Sequence, residues 1–248
     1  MLIPNFLYGG EVEIMFNDDG HKYYKDNEKL IGVTTILSAI SKPMLIPWAS
    51  NMCADYVRDH LKPGVAMDEV EIKTMLDAAR KAHSQRKTDA GNVGTLVHEW
   101  VDRYIKGENP EMPFNEELKK SVGKFLKWQE EYKVKFLLSE QVVYSREHNF
   151  CGTMDFIAKI GDDLVLGDVK TSSGIWDEYA LQTAAYQLAR EEEFPEEDYA
   201  YRGIIRIGKQ GDFEWKALKN YERDYNAFLA CKDLYEALNE IKKESGRY

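Results

Sequence analysis

"CGTMDFIAKIGDDLVLGDVKTS", residues 151–172, reads as two apolar runs around Gly161-Asp162. Glycine in the first position of a two-residue loop is the mark of a type II′ hairpin, which sets residue 160 opposite 163. That register carries Asp155 directly across from Asp168, with Cβ atoms about 4.5–5.5 Å apart. Lys170, two residues beyond Asp168, projects from the same face. Ile157, Leu164 and Leu166 share that face, while Met154, Phe156, Val165 and Val169 fill the other. Two facing carboxylates repel, and burying them costs several kcal/mol more unless a cation lies between them. A plain Asp–Lys ion pair at a frayed strand end is the alternative, with Asp155 incidental. The facing carboxylate weighs against it, because one ammonium neutralises only one of the two. A divalent cation bound by both would resolve the conflict, and Mg²⁺ is held by one or two carboxylates together with phosphate oxygens. Lys170 would then stabilise charge developing on a phosphoryl group or hold an attacking water.

Working outward, the pattern predicts two more strands and a helical surround. Residues 135–145, 149–160 and 163–172 read as three successive strands, followed by a helix over 175–192, strands over 200–208 and 212–217, and a helix over 220–243. The second and third strands are apolar at consecutive positions, which implies helices on both sides of the sheet. Before them, 11–33 alternate in short runs broken by "NDDG" and "DNEK", the signature of a small antiparallel sheet. Helical patterns follow over 34–60 (interrupted by Pro43 and Pro47), 66–87, 92–106 and 115–133, with Gly107 and Pro110 ending the third. The expectation is an α/β (α+β) fold with a mixed central β-sheet flanked by helices. Residues 1–90 form an N-terminal β-meander and helical flap within the same unit, and residues 91–248 form the core.

Composition narrows the setting. The 248 residues, 44% apolar and 31% charged, suit a globular protein with a real core. No apolar run approaches the roughly 20 residues that span a bilayer, so no membrane is expected as a partner. The start, "MLIPNFLYGGEVEIMF", lacks a basic segment and contains Glu11 and Glu13, unlike a secretory or transit peptide. Three scattered cysteines without CxxC spacing argue against disulfides, zinc and iron–sulfur clusters, and fit a reducing cytoplasm. The net charge of −10 does not exclude a polyanionic partner. "EEEFPEED" at 191–198 holds six of the acidic residues, whereas "KKSVGKFLKWQEEYKVK" at 119–135 holds six lysines against two glutamates. Such a run is either a local phosphate-binding stripe or only a solvated helix face.

"CGTMD…GDVKTS" resembles the G-x-x-D…(D/E)-x-K signature of the PD-(D/E)XK nucleases, and of their RecB-like branch in particular. "LQTAAYQLA" supplies the Gln-x-x-x-Tyr of that branch as Gln182 and Tyr186, and "GTLVHEWVDRY" supplies a helical histidine, His98. "GVTTILSAISKPMLIPWA" is similar to the N-terminal part of phage-type exonucleases and of the mitochondrial genome-maintenance exonucleases. The likeness extends from about residue 30 to 217, with the motifs in the same order. It implies a restriction-endonuclease-like core and a Mg²⁺- or Mn²⁺-dependent deoxyribonuclease acting on single-stranded DNA or duplex ends, in a bacterial or phage-infected cytoplasm, in DNA repair or recombination. It further implies that His98, Asp155, Asp168 and the Val169 carbonyl bind the metal, that Lys170 is the catalytic lysine, and that Gln182 and Tyr186 support them, with Thr171 beside them. The cysteine count excludes the iron–sulfur branch. A catalytically silent DNA-binding module and a restriction-type endonuclease are the other readings of the same core.

Several residues have an ordinary reading beside the functional one. His98 could be a hydrogen-bonded boundary residue; as a ligand, it would look to Asp102 or Glu99 for its own partner. Glu140 shares a strand face with Phe136, Leu138, Val142 and Tyr144 on simple alternation, and would hold a second metal, a water or a buried basic group. Gln182 and Tyr186, at i and i+4, could simply pack their helix on the sheet. Trp48, Trp100, Trp128 and Trp215 read as packing residues. Trp176, just after "KTSSG", lies where a base could stack.

Overall fold

The computed structural model describes residues 2–112 and 114–246. Residues 2–40 open with an antiparallel meander of β1 (Leu2–Leu7), β2 (Val12–Asn17), β3 (Lys22–Lys25) and β4 (Glu28–Gly32). Asp26 and Asn27 take positive φ between the paired Lys25 and Glu28, the backbone of a tight primed turn. The strand β1 lies outside the range expected from the sequence. It carries Pro4, which a strand at the sheet edge accommodates.

Helices α1 (Val33–Leu37), α2 (Leu45–His60), α3 (Glu69–Ile105) and α4 (Glu116–Glu131) follow. The two helices expected over 66–87 and 92–106 are one. The intervening residues contain no proline, and Gly91 inside a helix costs only about 1 kcal/mol. Asn115 caps α4, its side chain accepting the Leu118 N–H at 2.9 Å. Compact units divide the chain at 40/41 and 96/97: residues 1–40 belong with 97–248, and Ser41–Leu96 forms the second unit. In that second unit α2 buries no side chain, and Trp48 meets His83 edge-on at 6.4 Å.

The remaining elements are β5 (Lys135–Ser145), β6 (Phe150–Ile160), β7 (Asp163–Lys170), α5 (Glu178–Glu193), β8 (Tyr201–Ile207), β9 (Phe213–Leu218) and α6 (Tyr221–Glu244). The described residues form a mixed sheet in the order β1-β2-β3-β4-β6-β7-β8-β9, with β5 pairing β6. The β4–β6 and β7–β8 pairs are parallel, and the others antiparallel. As the consecutive apolar positions required, β6 and β7 are buried on both parities and helices flank the sheet. Val33, Ile36, Tyr186, Ala189 and Phe228 from α1, α5 and α6 pack with Phe150, Met154, Ile157 and Leu166. Trp128 of α4 meets Trp215 and Phe213, with ring centroids at 4.8 and 5.7 Å. No helix among the described residues is long and apolar enough to cross a membrane.

The acidic run at 191–198 is a set of braces. Glu192 accepts Ser145 Oγ and the Arg146 N–H of the β5–β6 turn, Glu193 accepts the Tyr8 N–H, and Glu197 pairs with Arg190 at 2.7 Å.

Candidate metal centre

The 151–172 hairpin forms in the expected register. β6 and β7 pair from Phe156↔Gly167 to Ile160↔Asp163, and Gly161 has φ +64°. Gly167 is required by packing, since a Cβ there would lie 2.1 Å from Cζ of the cross-strand Phe156. The pairing stops one position short of Asp155 and Asp168. Below that point β7 continues beside β8, while β6 pairs with β4 at Phe150 and Cys151. The strands therefore fork, and the carboxylates sit at the fork. Asp155 Oδ2 accepts the Val169 N–H at 2.6 Å, so a side chain takes over where the ladder ends.

Asp168 is 1% exposed. The Lys170 ammonium lies 2.6 Å from its Oδ2, and Gln182 Nε2 donates to its Oδ1 at 3.2 Å and to the Tyr186 hydroxyl at 2.8 Å. The Oδ2 atom has the ammonium as a close charge partner but no hydrogen bond of ordinary geometry among the described residues. Burial, and then the Asp155 carboxylate, push the Asp168 carboxyl above its ordinary range. Burial alone would lower the Lys170 pKa, but the Asp168 and Asp155 carboxylates outweigh it and hold it above the usual value. With both acids favouring the cation, we assign the proton of the pair to Lys170. Its ammonium also lies 4.9 Å from the centre of the Tyr179 ring.

The structure explains the helix motif and the first glycine together. A Cβ on Gly152 would fall 2.5 Å from Tyr186 Cε1, so only glycine lets that ring reach β6 and bring Gln182 to Asp168. Tyr23 of β3 completes the wall, its hydroxyl 2.8 Å from Thr153 Oγ1.

His98 Nδ1 lies 3.4 Å from Asp155 Oδ2, the oxygen that accepts the Val169 N–H. Glu140 joins them: one donor atom each from His98, Glu140 and Asp155 fall within 4.8 Å of one another. This revises the face expected for Glu140. The β5–β6 register shifts between Phe136 and Leu138, and Glu140 itself takes φ +49°, so simple alternation fails twice. Ser139↔Phe156 and Gln141↔Met154 pair on either side, which sets Glu140 across from Asp155. A non-glycine residue in the left-handed region is strained by about 1–3 kcal/mol and persists only where its surroundings over-determine it. Here Ser139 Oγ donates to Asp102 Oδ1 at 2.7 Å, and Gln141 Nε2 donates to the Ser139 carbonyl at 2.8 Å. Glu140 keeps solvent access, yet partial burial first, and then Asp155, Asp102 and Asp168 in that order, push its carboxyl up to about 8 against the pull of Lys106.

Of the other expected residues, Asp102 turns to Ser139 and Lys106 rather than His98, Glu99 is exposed on α3, and Thr171 is half-buried just beyond β7. Val169 contributes its N–H to Asp155. Lys119 and Lys120 of the lysine-rich helix pair with Glu116 and Glu117, and Lys124 binds the Gly211 carbonyl, so half of that stripe is already engaged. Tyr23 and Tyr179 were not anticipated; neither belongs to a motif. The place of Glu140 did have a signal, because a loop over 146–149 sets 145 against 150 and hence 140 against 155.

No family model matches the chain, and no curated protein matches it. Among solved structures the chain is similar to "Crystal structure of SSO0001", at 10% identity and a TM-score of 0.34, over 79% of this chain and 86% of that one. A likeness so slight carries neither a fold nor an activity across.

The donor set suits a divalent cation. One imidazole and two carboxylates converge beside a third, buried carboxylate, and burial together with the neighbouring carboxylates makes the Glu140 anion costly, a cost that a cation would relieve.

Proposed function

We propose that the protein is a Mg²⁺- or Mn²⁺-dependent deoxyribonuclease that acts from DNA ends. The observation that carries this reading is the convergence of His98, Glu140 and Asp155 within 4.8 Å, beside a buried Asp168–Lys170 ion pair. His98, Glu140 and Asp155 would hold the cation, with Asp168 next to them. A bound divalent cation supplies Lewis-acid polarisation of a phosphoryl oxygen and makes water more acidic.

The chain's own groups do the rest. Lys170 is an ammonium, so it supplies positive charge to a phosphodiester rather than taking a proton from water. Asp168 anchors that ammonium from a site closed to solvent, and Gln182 and Tyr186 fix Asp168 in turn. Asp155 links the two halves through His98 and the Val169 N–H. Action from ends, rather than internal cleavage, rests on the likeness to phage-type exonucleases.

The test is cleavage of end-labelled linear DNA and of covalently closed circles, with Mn²⁺ or Mg²⁺ and with chelator. Linear DNA should be degraded, and the circles left intact. Asp155→Asn and Lys170→Met should each lower the rate by roughly 10²–10³-fold, the usual effect of removing one electrostatic contributor. Equal rates in the three proteins, or activity that survives chelation, would defeat the proposal; nicked circles would point to an endonuclease.

A further inference from the structure

We infer that Trp176 is a stacking platform for an unpaired nucleobase, so that the bound strand is single-stranded where it passes the Lys170 side of the cleft. The inference rests on the nuclease reading and adds to it a specificity residue, at which an unpaired base is held.

Trp176 differs from the other tryptophans. Trp100 and Trp128 are buried at 4% and 7% exposure, Trp48 and Trp215 are half-buried, and Trp176 is 47% exposed. A single exposed apolar residue is ordinary; this one is distinguished by where it sits and how it is held. It occupies the segment that leaves β7 directly after Lys170, at the end where β7 and β8 run parallel. Its carbonyl accepts the N–H of Tyr179, the residue whose ring faces the Lys170 ammonium. The turn that carries Trp176 is thus joined to the start of α5, beside Lys170.

The segment is also preorganised. Ser172 Oγ donates to the Gly174 carbonyl at 2.7 Å, and Arg206 Nη1 donates to the Ser172 carbonyl at 3.3 Å. Arg206 is 7% exposed and is itself fixed by Asp212 and Glu214, at 2.5 and 3.1 Å. The Trp176 ring rests against Gly174, where an added Cβ would come no nearer than 3.8 Å. Among the described residues no aromatic ring stacks on Trp176. An indole exposed on a hydrogen-bonded turn that follows Lys170 is what stacking of an unpaired base requires, and every base offers a π-face. A paired base in a duplex keeps that face stacked on its neighbours.

The experiment compares wild type, Trp176→Leu and Trp176→Phe on single-stranded oligonucleotides with Mn²⁺, reading kcat and KM separately. A parallel arm measures binding of the same oligonucleotides by fluorescence anisotropy in chelator. Loss of one stacked base corresponds to roughly 5- to 150-fold in affinity. The leucine variant should raise KM and Kd by that factor with kcat within about twofold, and phenylalanine should restore most of it, because leucine keeps bulk but not the π-face. An abasic residue scanned along the oligonucleotide should cost wild type the same factor at one position and cost the leucine variant nothing there. Unchanged KM and Kd in Trp176→Leu, or abasic effects that add to the substitution, overturn the inference. If wild type cleaves no DNA, the nuclease reading fails by itself and the anisotropy arm still decides on stacking; absence of binding by wild type overturns the inference as well.

Discussion

Replacing Glu140 by glutamine should stabilise the metal-free protein at alkaline pH and leave it unchanged in acid. The Glu140 carboxyl is raised from 4.5 to about 8. An acid with a raised folded-state pKa keeps its proton on folding over the window between those two values. The folded state then binds more protons than the unfolded one, and stability falls as pH rises through the window. Below pH 4.5 both states are protonated and the cost vanishes; above pH 8 it is complete. At about 1.36 kcal/mol per unit, the whole shift would be worth ~5 kcal/mol. Glu140 keeps solvent access, so water screens most of that and about 1–2 kcal/mol remains. For a chain of this length that is a Tm gain of about 2–8 °C at pH 8.5 for Glu140→Gln, and none at pH 4. The assay is thermal unfolding in chelator across this range, repeated with Mn²⁺. Saturating cation at a hundred times its Kd should add about 2.7 kcal/mol to wild type, and clearly less to the variant, which has lost a ligand charge. A variant that melts with wild type at pH 8.5, or gains as much from Mn²⁺, would show that the Glu140 carboxylate is neither costly in the folded protein nor in contact with the ion.

Two further outcomes test the frame around the site. Gly152→Ala should cost about 1–3 kcal/mol in urea unfolding, because its Cβ would meet Tyr186 Cε1 at 2.5 Å and Val33 Cγ2 at 3.2 Å; Gly123→Ala, in open space on α4, should gain about 0.5–1 kcal/mol. Equal midpoints for the two variants would remove the packing argument for Gly152. Arg202→Met should cost about 3 kcal/mol, since it strands the buried Asp224 that now lies 2.7 Å from Arg202 Nη2, leaving it to the exposed Arg223. The double variant Arg202→Met/Asp224→Leu should recover most of that loss, and a double variant worse than the single would contradict this account.

What the sequence determined by itself was local. The Gly161-Asp162 loop set the register of β6 and β7, because a two-residue turn leaves no freedom in which residues face each other. Consecutive apolar positions in β6 and β7 required cover on both faces, and helical periodicity marked α4, α5 and α6. From those facts alone, Asp155, Asp168 and Lys170 could be placed at one end of one hairpin. Where the reading failed, parity was at fault. A register shift near Leu137 and the left-handed backbone at Glu140 move that side chain off the apolar face, and no residue type announces either.

Only the tertiary structure decided how the site closes. His98, Glu140 and Asp155 come from α3, β5 and β6, and their convergence depends on how the helix meets the sheet. The fork arises because β4, more than a hundred residues earlier in the chain, takes the edge of β6 that β7 leaves. The same holds for Gly152, whose missing side chain makes room for Tyr186, and for Glu192, a member of the acidic run that holds the β5–β6 turn. Turn geometry and alternation act between near neighbours and can be read along the chain. Shared space and shared charge act between residues that meet only after folding.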